Sequence, residues 1–247
     1  MLKKMLNLRK VAWKDILQET LSQVVGNGEC KIAVVKSNIC GYYFPSREVI
    51  EVVLRFLVER CGEVYFGDTP STLYNVEKRI RDLGLDKLNV RSDRLFVGNL
   101  MKVGENVKVE VPNKLGYRRY PIPSIVLKAD ILINIAKIGR HPSTQVTGAL
   151  KNLFGLVASK AKFVKYHPIG MDKVVVDVAQ IIKPSLNLVE VGDKLVVSDD
   201  VLEADIIATR LLGIDPAKVR HFRLYAEITG RDLDSLIEEI SHQFPNL

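Results

Sequence analysis

The sequence predicts an α/β fold: a largely parallel sheet with helices on both faces. Three observations predict it. Strand-like and helix-like segments alternate through almost the whole chain. The strands IAVV, VYFG and ILINIA read as buried, and no internal repeat or low-complexity linker interrupts the order. Repeated strand-then-helix units build parallel sheets covered on both sides. One α/β domain over residues 1–247 is expected, with room for a second lobe from about residue 160 onward.

The N-terminal stretch MLKKMLNLRKVAWKDILQETL starts basic and lacks both a long apolar core and a small-residue cleavage site. It reads as an amphipathic helix, clearest from about Val11 to Val25, rather than a signal peptide. KIAVVKSN is the first β-rich run. Ser46 is placed to cap the helix REVIEVVLRFLVERC, which Gly62 stops. EVYFGDT is a short buried strand, TLYNVEKRIRDLG a helix and RLFVG a further strand. Alternation from Met101 to Pro112 predicts a small antiparallel excursion within about residues 94–120. ILINIA is the next buried strand and GALKNLFGLVASK the next helix. MDKVVVDVAQIIK reads as a helix because Val175, Val178, Ala179 and Ile182 share a face. NLVEV and KLVVS pair around Gly192 and Asp193, and VLEADIIATRLLG follows as a helix that Asp199 or Asp200 caps. Asp215 and Pro216 start another helix, and DLDSLIEEISHQF ends the chain.

At 247 residues, with 47% hydrophobic and 26% charged residues, the chain is long enough for a substantial core and has an ordinary globular balance. No apolar run approaches the roughly 18 residues of a membrane span. Cys30, Cys40 and Cys61 are odd in number, widely spaced and form no CxxC. That argues against a disulfide framework, a zinc knuckle or a four-cysteine iron–sulfur site, and for a reducing cytoplasm. The net charge of +7 favours anionic partners. The basic residues are scattered, with one Trp and no RNA-binding aromatic pattern, so a small anionic ligand is preferred over nucleic acid. Aliphatic richness and abundant Lys and Glu point weakly to a thermophilic source.

In open α/β sheets ligands bind beyond the carboxyl ends of the strands. After IAVV come Lys36, Asn38, Cys40 and Gly41, and after VYFG come Asp68, Thr69 and Ser71. The densest set follows ILINIA: Lys137, Arg140, His141, Thr144, Thr147 and Lys151. Thr147-Gly148 reads as the cap and first turn of the helix ALKNLFG, whose free N–H groups suit a phosphate or carboxylate. Lys151 lies one turn in, with Asn152 beside it. Arg140 can grip an oxyanion through two parallel hydrogen bonds. His141 can transfer a proton near neutral pH, and is the one metal-ligand candidate. His141 and Lys151 are therefore the catalytic candidates. Lys36, Asn38, Asp68, Lys137, Arg140, Thr144, Thr147, Gly148 and Asn152 are the ligand-binding ones. Plainer roles exist for each: a turn at Pro142, a solvated helix lysine at 151, a turn former at Asp68. His167, His221 and His242 read as structural or surface residues. There is no P-loop, no dinucleotide-binding glycine fingerprint and no nucleophile elbow.

The run ADILINIAKIGRHPSTQVTGALKNLFGL resembles the hallmark of an uncharacterised family, domain of unknown function 362 (DUF362), whose pattern looks like NxPKxKTHxxTxVTGALKNLFG. The resemblance extends to IAVVKSN, VYFGDTPS, the segment from HPIGMD to NLVE, and SDDVLEADIIATRLLGIDP, from about Cys30 to Lys218. Ser37 and Ala136 stand where the family tends to have Pro, Gly139-Arg140 replaces Lys-Thr, and the loop VEVGDKL is shortened. Many members carry ferredoxin-like iron–sulfur segments. This chain lacks those cysteines, so no cluster is carried over, and a redox partner protein is what that association implies. A more local similarity links His141, Thr147-Gly148 and Lys151 to the nickel-pincer lactate racemase family. There the Lys carries the tethered cofactor and the His handles the substrate proton. Carried over, Lys151 is a tether or anion anchor and His141 a base or metal neighbour. The cofactor itself is left unknown, with a nickel-pincer group or a divalent metal as its sharpest forms. The expectation is a cytoplasmic protein that binds a small carboxylate or phosphate and leans toward racemase- or lyase-like proton transfer. An iron–sulfur or cofactor-assembly accessory protein and a nucleic-acid binder are the alternatives.

Overall fold

The computed structural model describes residues 2–90 and 92–245. In chain order the elements begin β1 (Lys3–Asn7), α1 (Trp13–Val25), β2 (Cys30–Ser37), α2 (Arg47–Arg60), β3 (Cys61–Asp68), α3 (Val76–Asp82) and β4 (Leu95–Asn99). There follow β5 (Asn106–Glu110), β6 (Arg119–Pro123), α4 (Ser124–Leu127), β7 (Ile131–Lys137), β8 (Gly139–His141), β9 (Gln145–Thr147), α5 (Ala149–Phe154) and α6 (Lys162–Tyr166). The last are α7 (Met171–Ile181), β10 (Leu186–Val191), β11 (Lys194–Ser198), α8 (Val201–Leu211), α9 (Arg220–Ile228) and α10 (Leu233–Gln243).

Seven strands form one sheet in the order β1-β11-β10-β7-β2-β3-β4. The five from β10 to β4 run parallel, and β11 and β1 add antiparallel partners at one edge. Side chains alternate across the sheet with period two. Ala33, Val35, Ile133 and Ile135 therefore face α1, α2 and α3, while Val34, Leu132 and Val189 face α5, α7, α8 and α9. Each helix presents one apolar stripe; on α1 it is Trp13, Leu17, Thr20 and Leu21. Asp200 and Asp232 cap α8 and α10 by accepting from Glu203 N (2.9 Å) and Ser235 N (2.6 Å).

Several expectations are corrected. Lys3–Asn7 is an edge strand rather than the start of a helix: it pairs along β11, buries Leu6, and carries the Lys3 ammonium to the buried Glu203 (3.1 Å). The antiparallel excursion is the β5–β6 hairpin alone, because β4 joins the main sheet parallel to β3. The helix read over GALKNLFGLVASK is only six residues long, and α6 falls in a stretch to which the sequence assigned no element. Cys30 and Cys61 lie opposite each other at the starts of β2 and β3 and are joined as a disulfide. Sequence spacing hides this, since one strand–helix unit separates the two residues and parallel pairing brings them back together.

Candidate functional site

A cavity of about 300 Å³ opens beyond the carboxyl ends of β2 and β3 and against α5 and α6. Asn38, Asp68, His141, Thr147, Lys151 and Asn152 line it, six of the residues singled out from the sequence. The β2–β3 and β2–β7 pairings bring their segments together. Asn38 also holds its own loop, donating to Tyr43 O (2.9 Å).

Lys36 is fully buried behind the cavity floor. Its ammonium donates to Asp68 Oδ1 (3.1 Å), Asn152 Oδ1 (2.6 Å) and Ser37 O (2.8 Å). An ammonium has three donors, so Lys36 has none left for a ligand and acts as a strut. Asp68 is equally engaged, accepting from Cys40 N (3.0 Å) and Thr69 N (2.8 Å). Asn152 passes the network across the sheet, donating to Asn134 Oδ1 (2.7 Å), and Asn134 donates on to Asn187 Oδ1 (2.9 Å). Gly155 makes room for this strut: a Cβ there would collide with the end of Lys36.

The segment after β7 is a hairpin, β8 paired with β9, and that decides which of its residues reach the cavity. Successive side chains of a strand point to opposite faces. His141 and Thr147 turn toward the cavity. Arg140 turns away into the exposed surface beside Gln145 and Ile214. Lys137 is also absent from the cavity, because Glu190 holds it at 2.8 Å. Thr144 is buried and donates to Val146 O (2.9 Å). The Ser143 N–H donates to His141 Nδ1 (3.2 Å), so the neutral ring carries its proton on Nε2. Burial, then the Lys151 and His167 charges, lower the His141 pKa to about 4. At neutral pH the ring is uncharged and offers a donor.

The expected anion site at the start of α5 is closed by the protein itself. Asp205 on α8 is fully buried and accepts from Ala149 N (2.6 Å) and Leu150 N (2.9 Å). Gly148 is required by that carboxylate rather than by a ligand, since a Cβ at 148 would strike it. The N-cap position is Gly148, which has no side chain to cap with, and Thr147 lies one residue before it. Burial pushes the Asp205 pKa up to about 7 against the pull of its two N–H donors.

What remains facing the cavity is cationic. Lys162 uses two donors, to Thr69 Oγ1 (2.7 Å) and Gly155 O (2.8 Å). Lys151 makes no hydrogen bond or ion pair with any described residue, and no carboxylate raises its pKa. Burial lowers the pKa of both to about 8, with the charge of Lys36 adding to the fall in each and Asp68 opposing it at Lys162. Among the described lining residues Asp68 is the one carboxylate, set against Lys36, Lys151 and Lys162.

Sequence reasoning missed Lys162, His167 and the aromatic walls, because α6 lies in a lysine-rich stretch that reads as solvated. His167 lines the cavity against Phe163, 4.2 Å between ring centres. His221 sits behind it, fully buried, with Nδ1 3.1 Å from Asp172 Oδ1 and Nε2 unpartnered. Asp205 did carry a signal: the buried run LEADIIA holds two carboxylates, Glu203 and Asp205, and each needs a partner. The donor set for a protein-held metal is not assembled. The described residues contain no group of three or more His, Cys, Asp or Glu placed to hold an ion, and His141 Nδ1 already accepts from Ser143.

Fold and site define an α/β protein with a strand-end cavity carrying excess positive charge. The chain belongs to the family described as domain of unknown function (DUF362), whose model matches residues 31–194. It is 30% identical over 115 residues to a thylakoid-associated protein from Synechocystis sp., an alignment covering 38% of this chain and 36% of that protein. The chain thus spans about a third of that curated relative. Among solved structures it resembles the lactate racemase apoprotein from Thermoanaerobacterium thermosaccharolyticum, with a TM-score of 0.51 and 14% identity. That likeness covers 81% of this chain and 54% of the racemase, and shows a shared fold. No helix among the described residues is long and apolar enough to cross a membrane.

Proposed function

We propose that the strand-end cavity binds a small molecule bearing a carboxylate or phosphate, held by Lys151 and Lys162, with His141 as the adjoining proton-transfer group. The observation that carries this reading is the unpartnered Lys151 ammonium beside a second cation with a free donor. Lys151 is half-buried, and even partial burial of a charge without a partner is costly; an anion seated there supplies the missing partner. An anion also favours the imidazolium form of His141. The neutral ring would take a proton from the carbon of the bound acid and return it to that same carbon, the imidazolium existing only between the two transfers. Proton transfer at the carbon next to the carboxylate of a small acid is the sharpest form of the proposal, in keeping with the racemase likeness. No step is assigned to a metal or an organic cofactor. Cytoplasmic residence stays part of the proposal, although it loses its support from cysteine spacing with Cys30 and Cys61 joined.

The test is a thermal-shift screen of the full chain with acetate, 2-hydroxy acids and inorganic phosphate, because a ligand that binds only the folded state raises the midpoint. At least one is expected to stabilise the wild type and to leave Lys151→Met unmoved. Equal stabilisation of both proteins would refute the role of Lys151.

A further inference from the structure

The cavity is cationic only at its floor. Tyr43, Tyr74, Phe154 and Met171 form much of its wall. At the mouth stand Tyr42, Leu73 and Phe163, which are 69%, 70% and 56% exposed. These three come from separate segments: the loop after β2, the loop after β3, and α6. The rim is nevertheless a built feature. Tyr42 meets Tyr74 edge-on at 6.2 Å, Phe163 packs on His167, and Phe163 N donates to Thr72 Oγ1 (3.2 Å), tying α6 to the β3 loop. Large apolar side chains gathered at one opening mark a binding surface, and this opening is continuous with the Lys151 floor.

We infer that the ligand is an amphipathic anion: its carboxylate or phosphate head meets Lys151 and its aryl or alkyl body fills the wall and reaches the Tyr42–Leu73–Phe163 mouth. This rests on the anion-binding reading above and narrows it. A two- or three-carbon acid would satisfy the floor while leaving the walls and rim wet. A body extending to the mouth removes that apolar surface from water, each added methylene tightening binding about 3–4-fold. The cavity, about 300 Å³, lies at the small end of the range for small-molecule sites, ~300–1,000 Å³. That size fits one ring and a short chain.

The experiment is isothermal titration of the full chain with acetate, phenylacetate, 3-phenylpropionate and 4-phenylbutyrate, and with inorganic phosphate against phenyl phosphate. The two head groups are thereby read separately. Kd is expected to fall at least ten-fold from acetate to 4-phenylbutyrate, or from phosphate to phenyl phosphate. Phe163→Ser and the more exposed Leu73→Ser are each expected to remove most of that gain and leave the short anion's Kd unchanged. Short anions that bind with no gain on extension overturn this inference alone. If no anion of either length binds, the anion-binding reading falls with it. Sedimentation of the same proteins covers the remaining occupant: a dimer that Leu73→Ser dissociates, without a chain-length gain, assigns the rim to a second copy and overturns the inference.

Discussion

Replacing Lys151 with Met is expected to make the protein more stable while removing its ligand response. Met keeps most of the length of the side chain and discards the charge. In the folded protein the ammonium titrates at about 8 rather than at the ordinary 10.5, because it is buried near Lys36 without a carboxylate. Each pKa unit corresponds to ~1.4 kcal/mol, so keeping the charge at pH 7 costs the folded state up to ~3 kcal/mol. Water entering the open cavity reduces this, and a gain of about 1–3 kcal/mol is expected for Lys151→Met. For a chain of this size that is a rise of about 2–10 °C in Tm. The sign with pH is fixed. Between pH 8 and 10.5 the unfolded chain holds more protons than the folded one, so wild-type stability rises across that window. The advantage of the variant is therefore full at pH 7 and gone near pH 10.5. Urea unfolding of both proteins at pH 7 and pH 10 measures it. A variant less stable than wild type at pH 7, or an advantage independent of pH, refutes the picture of an uncompensated ammonium.

Two further expectations concern the frame around the cavity. Asp205→Asn keeps only one acceptor oxygen for the N–H groups of Ala149 and Leu150, and is expected to cost about 1–2 kcal/mol at pH 4, where the wild-type carboxyl is uncharged. The folded-state pKa of Asp205 is raised from 3.8 to about 7, so its burial lowers stability progressively as pH climbs from 4 to 7. The Asn variant should lose that part of the decline, and a parallel pH profile in urea melts would argue against the buried cap. The Cys30–Cys61 bond closes a loop across a separation of 31 residues, worth about 3–4 kcal/mol by chain entropy. Thiol counting on denatured, unreduced protein should find Cys40 alone, and reduction should lower the urea midpoint; three free thiols would remove the bond from the account.

The parallel sheet was legible because its strands are apolar runs spaced by helices, and because helix starts such as Asp200 and Asp232 carry their caps in the chain. The convergence of Asn38, Asp68, His141, Lys151 and Asn152 followed from the rule that ligands gather beyond strand ends. What stayed hidden depends on pairing partners. Arg140 looked like an anion clamp until the hairpin β8–β9 set it on the opposite face from His141. The start of α5 looked open until α8 delivered Asp205 to it. Lys36 looked like a ligand contact, but its three donors are all used within the protein. Lys162 and Phe163 had no signal, since a lysine-rich stretch reads the same whether it folds inward or lies in water. Cys30 and Cys61 are distant in sequence and adjacent only through strand register.

The most direct test of a cation-floored cavity is the affinity for phenylacetate measured by titration calorimetry from pH 7 to pH 10, where the ligand's own charge is constant. If Lys151 and Lys162, both titrating near 8, hold the carboxylate, Kd should rise at least ten-fold over that interval, with proton uptake on binding near pH 8 to 9. An affinity that is the same at both ends, or no binding at pH 7, would contradict the account.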